Sequence, residues 1–517
     1  MRKLIATLLC NSILFPFLAF ADEEGNNSIV DRQIQYVDYN YIHNIENGAL
    51  NPVSISDIPL GDITVISAGY FWNDGKYHNV DKSGHVNGLN IDVYGIARLD
   101  KISFEGEVGY FNYKERDKVW NSTLFMNKLN PFILADDKPS DYKTDRFVIN
   151  GRFTYKFSSR FRFGLNADYN VGVMSDESDP RVETKGMRFI LNPGVDFDVT
   201  DRFTLGATGG INLFSESQRY TCLQTAVNYK FYLMSGLGTN YPYSNNAYSR
   251  DSHGTSWFVS VDGKYKISNE LANYLTINYG NESEKAVDGG SSYRFMGGDF
   301  SNNVLGITDR FAITGSRIAH NIEIGFQTND VKGRWYDQKS TSQNGTTVWE
   351  IMNSSIKHTE SLTNVSGAYR LDFLDNAGVS SLTAGIGLGY TNSDTKNYPE
   401  LYYRKYSNLS IKANVTKYFN IKKVRLGVGI DGGYDMNLSS SCDLNGIDIE
   451  KEYSLPMYYF LTSNAYTVNG RIDGKLPVGK VILGAYITGG TTRCANAKDM
   501  FKTTAMNSFT CGLNLSF

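Results

Sequence analysis

The sequence predicts an all-β fold, a transmembrane antiparallel up-and-down β-barrel of about 18 strands. Three observations support this prediction: an export signal at the N-terminus, long stretches in which apolar and polar residues alternate, and a regular alternation of short and long connections. After residue 21 there is no run of 18 apolar residues, so a bilayer-spanning helix is not expected.

The first 21 residues have the features of an export signal. Arg2 and Lys3 give a positively charged start, residues 4–18 are mostly apolar, and Ala19-Phe20-Ala21 has the small-x-small pattern of a signal peptidase site. We therefore expect cleavage between Ala21 and Asp22.

Residues 22–62 lack sustained alternation and carry Gly48, Pro52, Pro59 and Gly61. Three interpretations stay open for this segment: a periplasmic arm, a plug folded into the lumen, or an additional pair of strands. The barrel itself is expected over residues 63–517.

Alternation is clearest over residues 146–157, where Phe147, Ile149 and Phe153 share one face and Asn150 and Arg152 share the other. The same pattern recurs over 89–110, 203–213, 257–267 and 424–434. These stretches reach about ten to fourteen residues, whereas soluble strands commonly have about five or six and a tilted transmembrane strand needs about 9 to 11. The pattern therefore favours strands that cross a bilayer.

Connection lengths give a second, independent signal. Eight short turns are predicted near 100–101, 158–159, 200–201, 268–269, 315–316, 375–378, 420 and 477–479. Nine long polar connections are predicted at 74–86, 114–143, 175–185, 215–254, 281–302, 329–361, 392–406, 437–456 and 491–507. Together they join 18 strands, with 16 or 14 as alternatives because some segments are less regular. Short turns on one side and long loops on the other are typical of outer-membrane barrels, and an even count places both termini in the periplasm.

Charged residues on the inward faces are the first candidate binding groups: Glu105, Glu107, Arg152, Asp168, Arg188 and Asp431. Charges at bilayer depth persist where water or a counter-charge solvates them, so the lumen is expected to be polar. These groups form either a lattice of structural ion pairs in a plugged barrel or the charged lining of a solute path.

The fourth long connection, 215–254, contains six tyrosines and the apolar patch Phe231–Met234. This composition suits a loop that folds inward or captures a ligand, with Tyr229 and Tyr232 as candidate contacts. Cys442 and Cys494 lie in the last two long connections, so a disulfide between them is one of the three connectivities that four cysteines allow.

Catalysis and nucleic-acid binding are not expected. His78, His85 and His253 fall in the predicted outer loops or beside them, and no feature of the sequence orders them around a nucleophile, so we predict no enzyme activity, metal or cofactor. A formal charge of −3 provides no basic surface for nucleic acid.

The chain ends on a strand with Phe509, Leu513 and Leu515 at alternate positions and a terminal Phe517. This pattern resembles the C-terminal signal that the barrel-assembly machinery reads. With the export signal and the strand pattern, it makes the whole mature chain resemble the Gram-negative outer-membrane β-barrel superfamily. The resemblance implies a location in the cell outer membrane, contact with its lipid and insertion by that machinery.

Two short motifs narrow the resemblance. Asn51-Pro52 and Asp179-Pro180-Arg181 look like those of an uncharacterised family of such barrels whose function is unassigned. A weaker similarity is to long-chain fatty-acid transporters, whose N-terminal plug bears Asn-Pro-Ala; here Val53 replaces the Ala. We expect a passive channel or uptake protein for an unidentified solute; the alternatives are a surface barrel that binds a ligand or partner and, third, an enzyme at the rim.

Overall fold

The structure is a computed structural model that describes residues 27–289, 294–343, 346–496 and 500–517. The predicted export signal and its Ala21–Asp22 cleavage site lie outside these residues. Within the described part of the chain, no helix is long and apolar enough to cross a membrane.

Eighteen antiparallel strands form one closed sheet, in which each strand pairs with the barrel strands before and after it in the chain. The predicted all-β up-and-down barrel and its 18 strands are therefore confirmed. Its strands are β1 (Ile63–Gly75), β2 (His85–Leu99), β3 (Ile102–Lys118), β5 (Ser140–Lys156), β6 (Phe161–Asp176), β7 (Arg181–Asp198), β8 (Phe203–Thr221), β11 (Ala247–Lys266), β12 (Leu271–Asp288), β13 (Phe295–Thr314), β14 (Ile318–Gln343), β15 (Thr346–Leu374), β16 (Ser380–Asn397), β17 (Tyr402–Ile421), β18 (Val424–Asp443), β19 (Ala465–Val478), β20 (Val481–Cys494) and β21 (Ala505–Ser516).

The first and last strands close the barrel. β21 pairs with β1 from Val65↔Ser516 to Gly75↔Met506. At the end of this seam, Thr64 and Phe517 exchange two main-chain hydrogen bonds of 2.8 and 3.0 Å. Closure leaves no strand edge unpaired, which is what a sheet in hydrocarbon requires because no water is present there to satisfy N–H and C=O groups.

Apolar side chains cover the outside of the barrel on all sides. Many of them are more than half exposed: Ile91, Val108, Ile149, Val259, Ile324, Leu388, Ile430, Ile472, Ile487 and Leu513. If this surface faced water, its exposure would be unfavourable by about 25 cal/mol of free energy for each Å² of apolar area. A closed barrel with this outer belt is suited to lipid, and the protein is an outer-membrane β-barrel of the Gram-negative type.

Several strands continue far beyond the length that a bilayer needs. β14 has 26 residues and β15 has 29, so most of the loop predicted at 329–361 is strand. The sequence pattern misses this extension because both faces of a strand are polar once it stands in water. The other outer connections are also shorter than predicted, except the eighth, which covers residues 444–464 instead of 437–456.

Two other expectations differ from the structure. A strand is expected near 457–473, but β19 begins at Ala465, after a π-helical turn (Glu450–Ser454) and helix α3 (Leu455–Leu461). The short turn between β17 and β18 lies at Lys422 and Lys423, whereas the sequence predicted it at residue 420.

The remaining elements lie at the two ends of the barrel. Helices α1 (Asn27–Ile34) and α2 (Tyr36–His43) and a 3₁₀ helix (Pro52–Asp57) precede β1. At the long-loop end, β4 (Leu134–Asp136), β9 (Tyr229–Met234) and β10 (Asn240–Asn245) form a small sheet in the order β10–β9–β4.

Candidate functional site: the lumen and its two closures

The N-terminal segment, residues 27–62, contacts side chains from strands on all sides of the barrel. Its wall partners include residues of β2, β5, β6, β7, β11, β13, β15, β17 and β19: Arg98, Thr154, Arg162, Asp196, Lys264, Arg310, Arg370, Tyr418 and Lys475. A segment that touches strands around a closed ring lies inside the ring. These partners cluster near the short turns, so the segment occupies that end of the lumen.

Asn51 and Pro52 sit against glycines of the inner wall. A Cβ on Gly194 would come within 2.7 Å of Pro52 Cδ, and a Cβ on Gly164 within 2.8 Å of the Val53 nitrogen. The Asn51 amide donates to Asp196 at 2.6 Å and to Asp262 at 3.3 Å, while its oxygen caps the 3₁₀ helix by accepting from Val53. The Asn-Pro motif is therefore docked by shape and by hydrogen bonds.

A buried ion cluster holds the next part of the segment. Lys264 is paired with Asp57 and lies 2.8 Å from Glu46, and Arg162 lies 3.0 Å from Asp57. Burial raises the pKa of Glu46 to about 8 in spite of Lys264. Burial also opposes ionisation of Asp57, but Lys264 and Arg162 outweigh it and hold the pKa of Asp57 well below its usual range.

Arginines attach the rest of the segment to the opposite wall. Arg370 lies 2.8 Å from Asp38, and the Tyr418 hydroxyl donates to the same carboxylate at 2.9 Å. Tyr418 thus faces the lumen. Arg310 donates to the Ile45 and Asn47 carbonyls at 2.9 and 2.6 Å.

A second insert enters from the long-loop end between β3 and β5. We call residues 121–133 the strap. Its main chain bonds to buried carboxylates of the wall: Glu216 accepts from the Leu124 and Phe125 N–H groups at 3.0 and 2.7 Å, and Glu284 accepts from the Asn127 N–H at 2.9 Å. Both glutamates are at most 4% exposed.

Two strap phenylalanines fill notches in the wall. A Cβ on Gly186 would lie 2.8 Å from the Phe125 ring, and a Cβ on Gly298 would lie 2.5 Å from the Phe132 ring. Arg146 packs over Phe125 at 5.2 Å from the ring centroid.

A lid covers the strap, formed by residues 229–245 of the fourth loop and residues 444–464 of the eighth. Trp120, Tyr232 and Tyr453 meet in its apolar core, with ring centroids 5.2 and 5.5 Å apart. The tip of the fourth loop reaches β16, where the Asn397 amide donates to the Ser235 and Gly236 carbonyls at 3.0 and 2.8 Å. The lid therefore extends across the mouth.

Most of the inward charges proposed from the sequence line the lumen between these closures. Glu105 accepts from the Tyr94 hydroxyl at 2.8 Å and lies 3.5 Å from Arg152. Asp168 accepts from Asn150 and Asn170, and on another part of the wall Asp431 accepts from Asn469 at 2.7 Å. Glu107 and Asp431 are exposed. Because they point into the barrel, the middle of the lumen has room for water.

Asparagines pair with glycines across neighbouring strands of this wall. The pairs are Gly69–Asn90, Gly306–Asn278, Gly385–Asn414, Gly490–Asn469 and Gly484–Asn514. A Cβ on any of these glycines would collide with the asparagine amide. The amides lie flat along the wall, which keeps the lumen wide and polar.

Arg188, Tyr229 and Tyr232 belong to the closures. Arg188 donates to the Phe125 carbonyl at 2.5 Å and lies 3.9 Å from Glu284. Tyr229 packs in an apolar cluster with Phe231 and Tyr248, and the Tyr232 hydroxyl donates to Asp137 at 3.0 Å. Ligand binding by these residues remains a prediction.

The expected Cys442–Cys494 disulfide is not formed in the structure. β19 separates β18 from β20, and Cys494 is level with Ala465 and Asp435, seven residues below Cys442. At about 3.3 Å per residue the offset along the strands is roughly 23 Å, far beyond the reach of a disulfide. The Cys494 thiol instead donates to the Asn496 carbonyl at 3.0 Å.

The three histidines considered in the sequence analysis make separate contacts. His85 pairs with Asp74, His78 lies 2.9 Å from the Asn79 carbonyl, and His253 lies 3.3 Å from the Ser215 hydroxyl.

Sequence reasoning missed the wall residues that hold the strap. Glu216 and Glu284 fall in segments predicted as loops, because the upper ends of β8 and β12 are polar on both faces. Glu216 lies opposite Gly186 and Glu284 lies opposite Phe300. These positions follow from strand pairing, which the alternation does not reveal there.

Solved structures that resemble this chain are distant ones. They include the copper transporter OprC (8% identity over 89% of this chain and 81% of that chain, TM-score 0.42) and the outer-membrane transporter YddB from Escherichia coli (10% identity, 87% and 80%, TM-score 0.39). A Pseudomonas aeruginosa FadL homologue has 11% identity over 93% and 95% of the two chains, with a TM-score of 0.35. No curated protein matches the sequence. Residues 52–517 match the model of a family of unknown function, DUF6850, and the chain belongs to that family.

Proposed function

We propose that this barrel passes a solute through its lumen, as a passive channel or an uptake protein, and that the N-terminal segment and the strap keep it closed at rest. The short turns and both termini then face the periplasm, as expected for a barrel of this type. The single observation that carries the proposal is the polar attachment of both inserts. Hydrogen bonds and ion pairs hold them to a wall whose middle stays wide and charged.

The size of the barrel supports the proposal. Sixteen to eighteen strands enclose more space than inward side chains can fill. The two inserts fill the ends, while Glu107 and Asp431 remain exposed between them. A purely structural filling has no reason to leave charged side chains hydrated in the middle.

Polar attachment also suits reversible release. An apolar core loses its packing when it opens, whereas carboxylates and guanidinium groups can exchange their protein partners for the polar groups of a solute at a smaller net cost.

Swelling of proteoliposomes in sugars of graded size tests the proposal. We compare the intact protein with variants that lack residues 27–58 or carry a short Gly-Ser linker in place of residues 122–132. Slow swelling of the intact protein and faster, size-limited swelling of either variant support passage. Equal, background rates for folded variants contradict it.

A surface-binding function is the second candidate. Beyond the pairing of Asp299 with Arg334 and of His358 with Asn397, β14 and β15 continue as a two-stranded ribbon, on which Ile351 and Met352 are 54% and 66% exposed. Removing residues 337–352 should abolish partner binding under this alternative but leave swelling unchanged.

A further inference from the structure

We propose that the wall behind the strap is a binding track for a peptide segment, and that the strap occupies it as an internal stand-in. The inference rests on the proposed function, because it names the class of solute that would replace the strap when the lumen opens.

The contacts along the track are directed mainly at the strap's main chain. Thr184 donates to the Ser122 carbonyl at 2.7 Å, Arg188 to the Phe125 carbonyl at 2.5 Å, and Arg250 to the Phe132 carbonyl at 3.0 Å. Together with Glu216 and Glu284, which accept N–H groups, the wall supplies acceptors for the N–H groups and donors for the carbonyls of one segment, which bends at residues 124–126 and turns at 128–129. Any peptide can present these groups, whatever its sequence.

Side-chain contacts add a limited selectivity. The notches for Phe125 and Phe132 lie seven residues apart and are shaped by Gly186 and Gly298. Glu282 and Glu284 also accept from the side chains of Asn127 and Asn130 at 2.7 and 2.8 Å. The track therefore favours peptides with an aromatic residue in at least one notch.

The energetics of opening also point to a peptide. If the strap left without a replacement, Glu216 and Glu284 would lose their donors in a site that is shielded from bulk water, and a buried carboxylate without partners is costly. Among the residues that the structure describes, Glu216 Oε1 and Arg188 Nε have no hydrogen-bond partner even with the strap in place. A ligand rich in N–H and C=O groups meets this demand, whereas a sugar or an apolar molecule meets it poorly.

The test measures binding of fluorescent peptides to the full-length protein in detergent. One variant, Leu124→Pro with Phe125→Pro, removes both N–H groups that Glu216 accepts and so loosens the strap. Leu124→Ala with Phe125→Ala is the matched control for the lost side chains, since it keeps both N–H groups. Retention of heat-modifiable migration on gels shows that each variant is folded, and the linker variant of the strap provides a second open form.

Three peptide probes separate the possible outcomes. The first has the sequence of residues 121–133. The second keeps its two phenylalanines and the asparagines that correspond to Asn127 and Asn130, and replaces the other residues by Ala or Ser. The third is the first peptide N-methylated at the amides that correspond to Leu124 and Phe125.

We expect the first two probes to bind the open variants within about threefold of each other. The N-methylated probe should bind at least about tenfold more weakly, because it cannot donate to Glu216. Glu216→Ala, which removes the acceptor for both N–H groups, should remove most of that difference. The inference is overturned if only the native sequence binds, if N-methylation has no effect, or if folded open variants bind none of the probes.

Swelling distinguishes failure of the inference from failure of the proposed function. If open variants pass sugars but bind no peptide, the channel function is supported and the peptide-binding track is contradicted. If open variants bind peptide but pass no sugar, the peptide-binding track is supported and the channel function is contradicted.

Discussion

Arg250 and Asp288 form an ion pair that is completely buried between the barrel wall and the strap. The Nε–Oδ1 and Nη2–Oδ2 distances are 2.6 and 2.7 Å, and both side chains are 0% exposed. The third guanidinium nitrogen, Nη1, donates to the Phe132 carbonyl. One buried pair therefore joins β11, β12 and the strap.

Removing one partner of this pair should destabilise the barrel strongly. Arg250→Ala leaves Asp288 as an uncompensated buried charge, and we expect a loss of about 3–5 kcal/mol in the free energy of unfolding. Urea titration followed by tryptophan fluorescence measures it. Arg219→Ala is the control, because the 2.7 Å Arg219–Asp251 pair is nearly half exposed on the Arg219 side and should cost less than about 1 kcal/mol. Equal losses of unfolding free energy in the two variants would contradict the conclusion that the buried Arg250–Asp288 pair holds the strap to the wall.

The glycine docking site of Asn51 and Pro52 makes a second prediction. Gly194→Ala forces a methyl group against both residues, and overpacking of this kind costs about 1–3 kcal/mol. We expect faster hydrogen exchange over residues 46–57. Gly151→Ala is the matched change on β5, since no atom lies within 4 Å of its added Cβ. It should leave exchange unchanged, and equal effects of the two would argue against docking.

The attachment of the N-terminal segment should weaken at high pH. Glu46 has a folded-state pKa of about 8 against 4.5 unfolded, so between these values the folded state holds a proton that the unfolded chain has released. Its contribution to stability therefore falls as the pH rises through this window. Asp57, whose pKa is lowered, contributes in the opposite sense, and that contribution is lost on acidification.

Hydrogen exchange of residues 40–58, corrected for the intrinsic rate, tests this dependence between pH 6 and pH 9. We expect protection to fall in the native protein and to stay nearly constant in Glu46→Gln, which cannot ionise. A parallel fall in both would assign the pH effect to other groups.

Orientation in the membrane makes a fourth prediction. In a background with all cysteines replaced by serine, an impermeant thiol reagent added to intact cells should label Ser244→Cys but not Ser159→Cys. Both positions are exposed, the first in the lid and the second in a short turn. Labelling of Ser159→Cys alone would invert the topology and place the strap on the periplasmic side.

The sequence was informative where a strand meets lipid and uninformative where it meets water. Alternation around Phe147–Phe157 and Phe203–Leu213 is enforced by hydrocarbon on one side, so the strand count follows from it. Above the bilayer the selection for apolar residues ends. Ser215–Arg219 is polar on both faces. For this reason the sequence pattern predicted a loop there, and Glu216 was not recognised as a residue of the barrel wall.

The closures were less predictable than the wall. Residues 22–62 allowed three interpretations, because contacts such as Arg370–Asp38 join positions more than 300 residues apart and leave no local pattern. Phe231–Met234 was recognisable as a patch that needs burial, and its residues are at most 7% exposed. Its partners, Trp120 and Tyr453, come from two other loops and could not be inferred from the patch itself.

Single-channel conductance in planar bilayers tests the central claim most directly, by comparing the intact protein with a variant that lacks residues 27–58 and carries the strap linker. We expect the intact protein to stay closed and the double variant to show large, stable conductance steps. A double variant that stays closed while it is folded and heat-modifiable, or an intact protein that already conducts as well as the double variant, would contradict the claim that these two inserts close the lumen.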